Sequence, residues 1–285
     1  MMRKVFPCFL FAVLGLSTLA VGQTNDDFIA RMEREHSGDS PVASPAAETQ
    51  PAVVVVTEEV VYAELDGKKI TGFLARPENS KGLPGLIVIH EWWGLNDNVR
   101  AMAGRFAAEG YVALAVDLYE GEVGEDREGA ARLARAARDR AQRVEENLRQ
   151  AWGYFDQELG VPRTGVIGWC FGGGWSLRTA LALGDGIDAT VIYYGRLVTD
   201  PAKLEPLTSP VLGIFGSLDQ GIPVETVREF ESALDSLGKE AAIHVYEGAN
   251  HAFANPSGTR YNAEAAEDAW EKTITFFAQN LRRSE

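Results

Sequence analysis

Three side chains in this sequence have the types and the order for acyl-group chemistry: the thiol of Cys170, the carboxylate of Asp219 and the imidazole of His251. A thiolate attacks a carbonyl carbon, and an imidazole takes the thiol proton and later returns one to the leaving group. A carboxylate behind the imidazole fixes its tautomer and stabilises its cation. The thiol stands in "GWCFGGGWS", with Gly168 two residues before it and Gly172 two after. This is the G-x-S-x-G pattern with sulfur in place of oxygen. In that pattern the nucleophile occupies a strained strand-to-helix apex, so its neighbours must be small. The alternative is a structural cysteine, a small buried hydrophobe; the glycine context argues against it. Asp185 and Asp188 compete for the acid's place but follow a helix rather than a strand, and His244 falls inside a strand, where it reads as packing.

These residues need elements that bring them to one place. "VVVVTEEVVYAEL" and "KKITGFLARP" flank Asp66-Gly67, a hairpin turn signal, so the domain opens with two antiparallel strands. Short apolar runs then alternate with helical patterns. The runs are 85–90, 111–119, 164–170, 189–195, 209–217 and 241–248. The helices fall over 98–109, roughly 126–159, 171–183, 223–237 and 261–281. That alternation implies an α/β fold with a mostly parallel sheet, helices on both faces and an N-terminal antiparallel hairpin. In such sheets functional groups gather beyond the carboxyl ends of the strands. "HEWWG" (90–94), Cys170, Asp219 and His251 all fall there, which is the α/β-hydrolase arrangement, with the triad in the order nucleophile, acid, base.

Composition sets the class. The 285 residues are 46% hydrophobic and 24% charged, ordinary for a soluble globular chain with a sizeable core. A net charge of −14, with Lys and Arg scattered among acids, excludes a nucleic-acid partner. Arg3 and Lys4, the apolar run Val5 to Leu19 and the small residues Ala20-Val21-Gly22 read as an export signal over 1–22. An uncleaved anchor is the alternative; the apolar run is short for it. Export implies a periplasmic or secreted protein with no stable membrane insertion after cleavage. It also leaves Cys170 as the single thiol, unable to form a disulfide within the fold. Residues 23–52 mix acids, Pro, Ala and Ser and read as a flexible polar linker, with at most a short helix near Phe28 to Glu35 and a solvated His36. The single α/β domain then runs over 53–285, and the chain is expected to act as a monomer.

An oxyanion needs N–H donors where negative charge develops. The backbone N–H of Phe171 and that of Trp92, in the loop after the first parallel strand, are the candidates. Glu91 beside them either points to solvent or pairs with the thiol or His251 and regulates the nucleophile. Trp92 and Trp93 suit the wall of a flat apolar pocket, and Tyr119, Trp169, Arg196 and Phe253 are the other candidates for a substrate pocket, whereas Trp175, on the helix, reads as core. No Cys/His pair has metal-ligand spacing and the glycine run lacks the lysine of a phosphate-binding loop, so neither metal nor cofactor is expected.

The blocks "HEWWGLN", "VDLYEG", "GWCFGGG", "YYG", "GSLDQGIP" and "GANHAF", in this order over residues 58 to 282, resemble the dienelactone hydrolase family. The resemblance implies a Cys-His-Asp triad at Cys170, His251 and Asp219, with Glu91 as the acid that regulates the thiol. It also implies hydrolysis of lactones or activated esters, without metal or cofactor, through a thioester acyl-enzyme. The archetypal enzymes hold the substrate carboxylate with arginines, one of them shortly after the catalytic histidine. Here Ala254 and Asn255 occupy that segment and Arg260 comes further on; Arg127 and Arg196 are possible substitutes. A general short-chain carboxylesterase and a non-catalytic ligand-binding protein are the competing readings.

Overall fold

The structure, a computed structural model, describes residues 25–39 and 54–282. The expected export signal and most of the expected linker lie outside the described residues.

The first described element is a helix, α1 (Asn25–Glu35). Strands β1 (Val55–Leu65) and β2 (Lys68–Pro77) follow as the expected hairpin, and Asp66 and Gly67 both take positive φ, 50° and 79°, as a tight two-residue turn requires. The chain then runs β3 (Gly85–Ile89), α2 (Asp97–Ala108), β4 (Val112–Val116), α3 (Arg127–Asp139), α4 (Ala141–Tyr154), β5 (Thr164–Trp169), α5 (Phe171–Leu183) and β6 (Ala189–Tyr193). It closes with α6 (Pro201–Leu204), β7 (Val211–Gly216), α7 (Val224–Ser236), β8 (Ala241–Tyr246) and α8 (Ala263–Leu281). The eight strands form one sheet in the order β1-β2-β4-β3-β5-β6-β7-β8. Only the β1–β2 and β2–β4 pairs are antiparallel. Every residue of β3, β4, β5, β6 and β7 is buried, as a sheet covered on both faces demands.

Two differences from the sequence reading have local causes. The charged stretch 126–159 is not one helix: Asp126 caps α3 by accepting from the Gly129 N–H, and Arg140, at φ −109° and ψ 39°, ends it before α4 begins. Residues 25–39 are not a flexible linker. Phe28, Met32 and His36 recur every four residues, so they share one face of the helix and its C-terminal turn, and all three are buried together with Ile29. The segment's polar composition belongs to the opposite face, and composition alone therefore hides the apolar stripe. His36, expected to be solvated, is 0% exposed. The far end of the segment is tied down as well: Asp39 accepts from the Thr259 N–H and hydroxyl at 2.7 and 2.8 Å, and Arg260 donates to Glu35 and to the Arg34 carbonyl.

A buried polar chain fixes the rim above β4. The β1–β2 register slips between Val61 and Ala63, a bulge that sets Tyr62 apart from its neighbours and buries it. Its hydroxyl donates to Asn147 Oδ1 at 2.6 Å and accepts from the Asp117 N–H at 3.0 Å, while the Asp117 carboxylate accepts from the N–H groups of Tyr119 and Gly121. Tyr119, so placed, donates its own hydroxyl proton to the Trp92 carbonyl at 3.0 Å. Removing one hydroxyl leaves two buried polar groups without that partner. Tyr62→Phe is expected to lower the unfolding free energy by about 1–3 kcal/mol, measured by chemical denaturation.

Candidate active site

β5 ends at Trp169 and α5 starts at Phe171, so Cys170 is the entire turn between them, at φ 52° and ψ −112°. A side chain in that backbone region is strained and persists only where its surroundings hold it. Here the Cys170 N–H donates to the Tyr193 carbonyl at 3.0 Å, and the glycines let the turn close. A Cβ on Gly168 would lie 2.4 Å from the Gly172 backbone, and one on Gly172 would lie 2.4 Å from the Ile89 carbonyl oxygen. The result is a thiol raised at the carboxyl end of the sheet. As the first residue of α5, Phe171 has an N–H with no acceptor one turn back in its helix.

His251 reaches the same rim from the loop after β8. Its Nδ1 lies 2.7 Å from Asp219 Oδ2, both side chains are fully buried, and Asp219 Oδ1 is held by the N–H groups of Gly221 and Ile222 at 2.8 and 2.9 Å. With Nδ1 committed to the carboxylate, Nε2 is the free edge of the ring; it is buried and makes no hydrogen bond among the described residues. A ring nitrogen of His251 lies within 4.8 Å of Cys170 Sγ. Burial opposes ionisation of both groups, but each outweighs that opposition for the other. Asp219 and the Cys170 thiolate hold His251 well above the ordinary imidazole range, and the His251 and His36 rings bring Cys170 down to about 6. The pair therefore favours thiolate and imidazolium.

The structure also brings Glu91 to the rim. It does not point to solvent: Asn255 donates to Oε2, the Tyr194 hydroxyl lies 3.4 Å from Oε1, and burial pushes the carboxyl up to about 7. Next to it His90 accepts from the Leu118 N–H through Nε2, and burial takes its pKa down to about 4, so the ring is neutral and serves to fix the loop.

The expected pocket residues divide. Trp92 and Trp93 are buried edge to face with centroids 5.0 Å apart, and Trp169 lines a groove with Glu91, Tyr194 and Trp270. Tyr119 braces the loop, as described above, and packs against Phe171. Phe253 is fully buried between Tyr194 and Tyr246. Arg196 stands by Phe171 in a second groove with Arg138 and Arg178, its guanidinium 5.4 Å from the Phe28 ring.

The helix α1 contributes residues that the sequence reading left out. Met32 Sδ lies 3.7 Å from Cys170 Sγ, and His36 Nε2 lies 3.5 Å from it, with the His36 ring stacked on Trp92 at 4.6 Å. Phe28 covers Arg138, whose guanidinium carbon is 4.1 Å from the ring centre. One face of one helix thus closes the site over both the thiol and the arginines. The signal was the spacing 28, 32, 36. Likewise, no linear spacing announced a ligand cluster, yet the side-chain ligand atoms of His36, Cys170 and His251 all lie within 4.8 Å of one another.

The thiolate of Cys170 absorbs in the ultraviolet, and its signal is isolated as the difference from Cys170→Ala. Its titration is expected to centre near pH 6, below the ordinary thiol value of about 8.5. Asp219→Asn removes the charge that favours the His251 imidazolium, so it should move the midpoint upward; a midpoint unmoved in that variant would show that the His251 ring does not stabilise the thiolate.

Comparison with known proteins agrees with this architecture. The Dienelactone hydrolase family profile matches residues 70–281. A putative carboxymethylenebutenolidase of Saccharolobus solfataricus is 33% identical over 260 residues, covering 77% of this chain and 97% of its own. Another from Escherichia coli O157:H7 is 32% identical, covering 86% of this chain and 96% of its own. The crystal structure of a putative dienelactone hydrolase from Klebsiella pneumoniae superposes with a TM-score of 0.71 at 28% identity, covering 79% of this chain and 99% of that one. The chain belongs to the dienelactone hydrolase family.

Proposed function

We propose that this protein hydrolyses lactones and activated carboxylic esters through a thioester on Cys170. The observation that carries the reading is the pairing of His251 Nδ1 with Asp219 at 2.7 Å while Nε2 faces a thiol at the apex of a glycine-lined turn. The thiolate adds to the carbonyl carbon, and the N–H groups of Phe171 and Trp92 receive the charge that develops on oxygen. The imidazolium gives its proton to the leaving oxygen as the carbon–oxygen bond breaks. The neutral imidazole then takes a proton from water, whose oxygen attacks the thioester carbon, and the carbon–sulfur bond breaks to return the Cys170 thiolate and release the acid product. Glu91, held by Asn255 and Tyr194, is the buried acid beside this exchange.

A reacting carbon must come within about 3–3.5 Å of sulfur, and Met32 and His36 occupy that space. Substrate admission therefore moves α1 away from the thiol. The same movement uncovers Arg138, which is largely buried and has its Nη1 unpartnered among the described residues, beside Phe171. That placement favours a substrate with a carboxylate near the scissile bond, with Arg138 in the role for which Arg127 and Arg196 were considered. A general short-chain carboxylesterase is the nearest competing reading. The basic start and apolar run of residues 1–22 further support export to the periplasm or medium, tested by N-terminal sequencing of the protein recovered outside the cytoplasm.

Turnover of a dienelactone and of p-nitrophenyl acetate should fall to the buffer rate in Cys170→Ala, and the wild type should carry the acyl mass on Cys170 under single-turnover quench. Wild-type turnover equal to buffer on both substrates would overturn the hydrolase reading. Arg138→Met should raise KM for the carboxylate-bearing dienelactone by about tenfold or more, the loss of one charged hydrogen bond, and leave the neutral ester unaffected. A general carboxylesterase would show no such split.

A further inference from the structure

The hydrolase reading uses one imidazole on the thiol, and the structure places two. His36 Nε2 stands 3.5 Å from Cys170 Sγ, and its Nδ1 is held by Asp39 at 2.9 Å, as that of His251 is held by Asp219 at 2.7 Å. Each ring therefore has a carboxylate behind it and presents Nε2 to the same sulfur. A carboxylate behind each coordinating histidine is the recurrent support of metal-binding imidazoles, because it fixes the tautomer and raises the basicity of the other nitrogen.

We propose that His36, Cys170 and His251 form a binding site for a thiophilic transition-metal ion, copper foremost, with the Met32 thioether as a fourth and weaker donor. Three observations carry this. The ligand atoms lie within 4.8 Å of one another, and a tetrahedral ion with bonds of about 2.3 Å to sulfur and 2.0–2.1 Å to nitrogen needs sulfur–nitrogen edges of about 3.5 Å. The His36 edge has that length already, and the His251 edges, within 4.8 Å, close onto the ion by a turn of the ring. His251 Nε2 is a fully buried nitrogen aimed into the site without a hydrogen-bond partner among the described residues. The site is buried, with Trp92 stacked on His36 and Met32 Sδ 3.7 Å from Cys170 Sγ. Two imidazoles, a thiolate and a thioether are a soft donor set, and copper stands above zinc in affinity for such ligands. Binding displaces to solvent the proton that the Cys170–His251 pair shares, so that the thiolate and the neutral ring nitrogens bind the ion. His36 and Met32 lie outside residues 70–281, so the ligand set is not a property of the family-matched region. It joins α1 to the thiol that the reaction needs free, so a bound ion both closes α1 and silences hydrolysis.

Cu2+ titrated anaerobically into the full-length protein tests this. The expected result is one ion per chain, with visible thiolate-to-copper charge-transfer absorption that is absent in Cys170→Ser, and ester hydrolysis falling as the site fills. Asp39→Asn, which keeps the ring and loses its support, should weaken binding about 10–100-fold, and His36→Ala by more than that. His36→Ala should also keep its turnover at a copper concentration that silences the wild type. Copper held as tightly by His36→Ala as by the wild type, or no thiolate-to-copper absorption, would overturn the proposal. A protein that hydrolyses ester but takes up no copper overturns this inference alone. Copper uptake with the expected absorption but without hydrolysis in the metal-free protein supports it and removes the hydrolase reading.

Discussion

The turn at Cys170 is the constraint on which the rest of the molecule depends. A left-handed residue between β5 and α5 is tolerated only because the backbone of β3 and the start of α5 approach within the space a methyl group would need. That close approach requires glycine at Gly168 and Gly172, and it lifts the thiol above the sheet with the first free N–H of α5 beside it. Everything else on the rim is arranged around a point fixed in this way. The loops after β3, β4, β7 and β8 are each tied by buried hydrogen bonds rather than by packing alone.

The rim is also an electrostatic unit. Two rings, each backed by a carboxylate, face one sulfur in a volume without solvent, and a third carboxyl, Glu91, is kept partly protonated by burial. Desolvation penalises every charge in this volume, so the charges persist only in pairs. A thiolate needs an imidazolium within reach, and the imidazolium needs Asp219. His251 Nε2, without a hydrogen-bond partner among the described residues, is therefore the polar group that a proton acceptor such as a leaving oxygen, or an ion, relieves.

Much of this was legible in the sequence because the signals are local. Alternating apolar runs and helical patterns gave the mostly parallel sheet, Asp66-Gly67 gave the hairpin, and the glycines around Cys170 marked the turn. The meeting of Asp219 and His251 on one side of the sheet was legible because strand ends in such a sheet share one rim. The break at Arg140 was not legible, since it is made by the backbone geometry of one residue within a uniformly charged stretch. Nor was the docking of α1, whose polar face dominates the composition of its segment while three buried residues four apart decide where it sits. Arg138 was missed for a related reason: an arginine on a charged helix reads as solvated until Phe28 covers it.

The cap and the body belong to one chain. Residues 40–53 join Asp39 to the start of the hairpin, and a segment of that length spans at most about 50 Å when fully extended. A displaced α1 therefore stays tethered to the body that holds the thiol, and its return is a first-order event. Substrate meets a competitor that dilution of the protein does not weaken. The fraction of open molecules is set by the chain itself and by what binds to it.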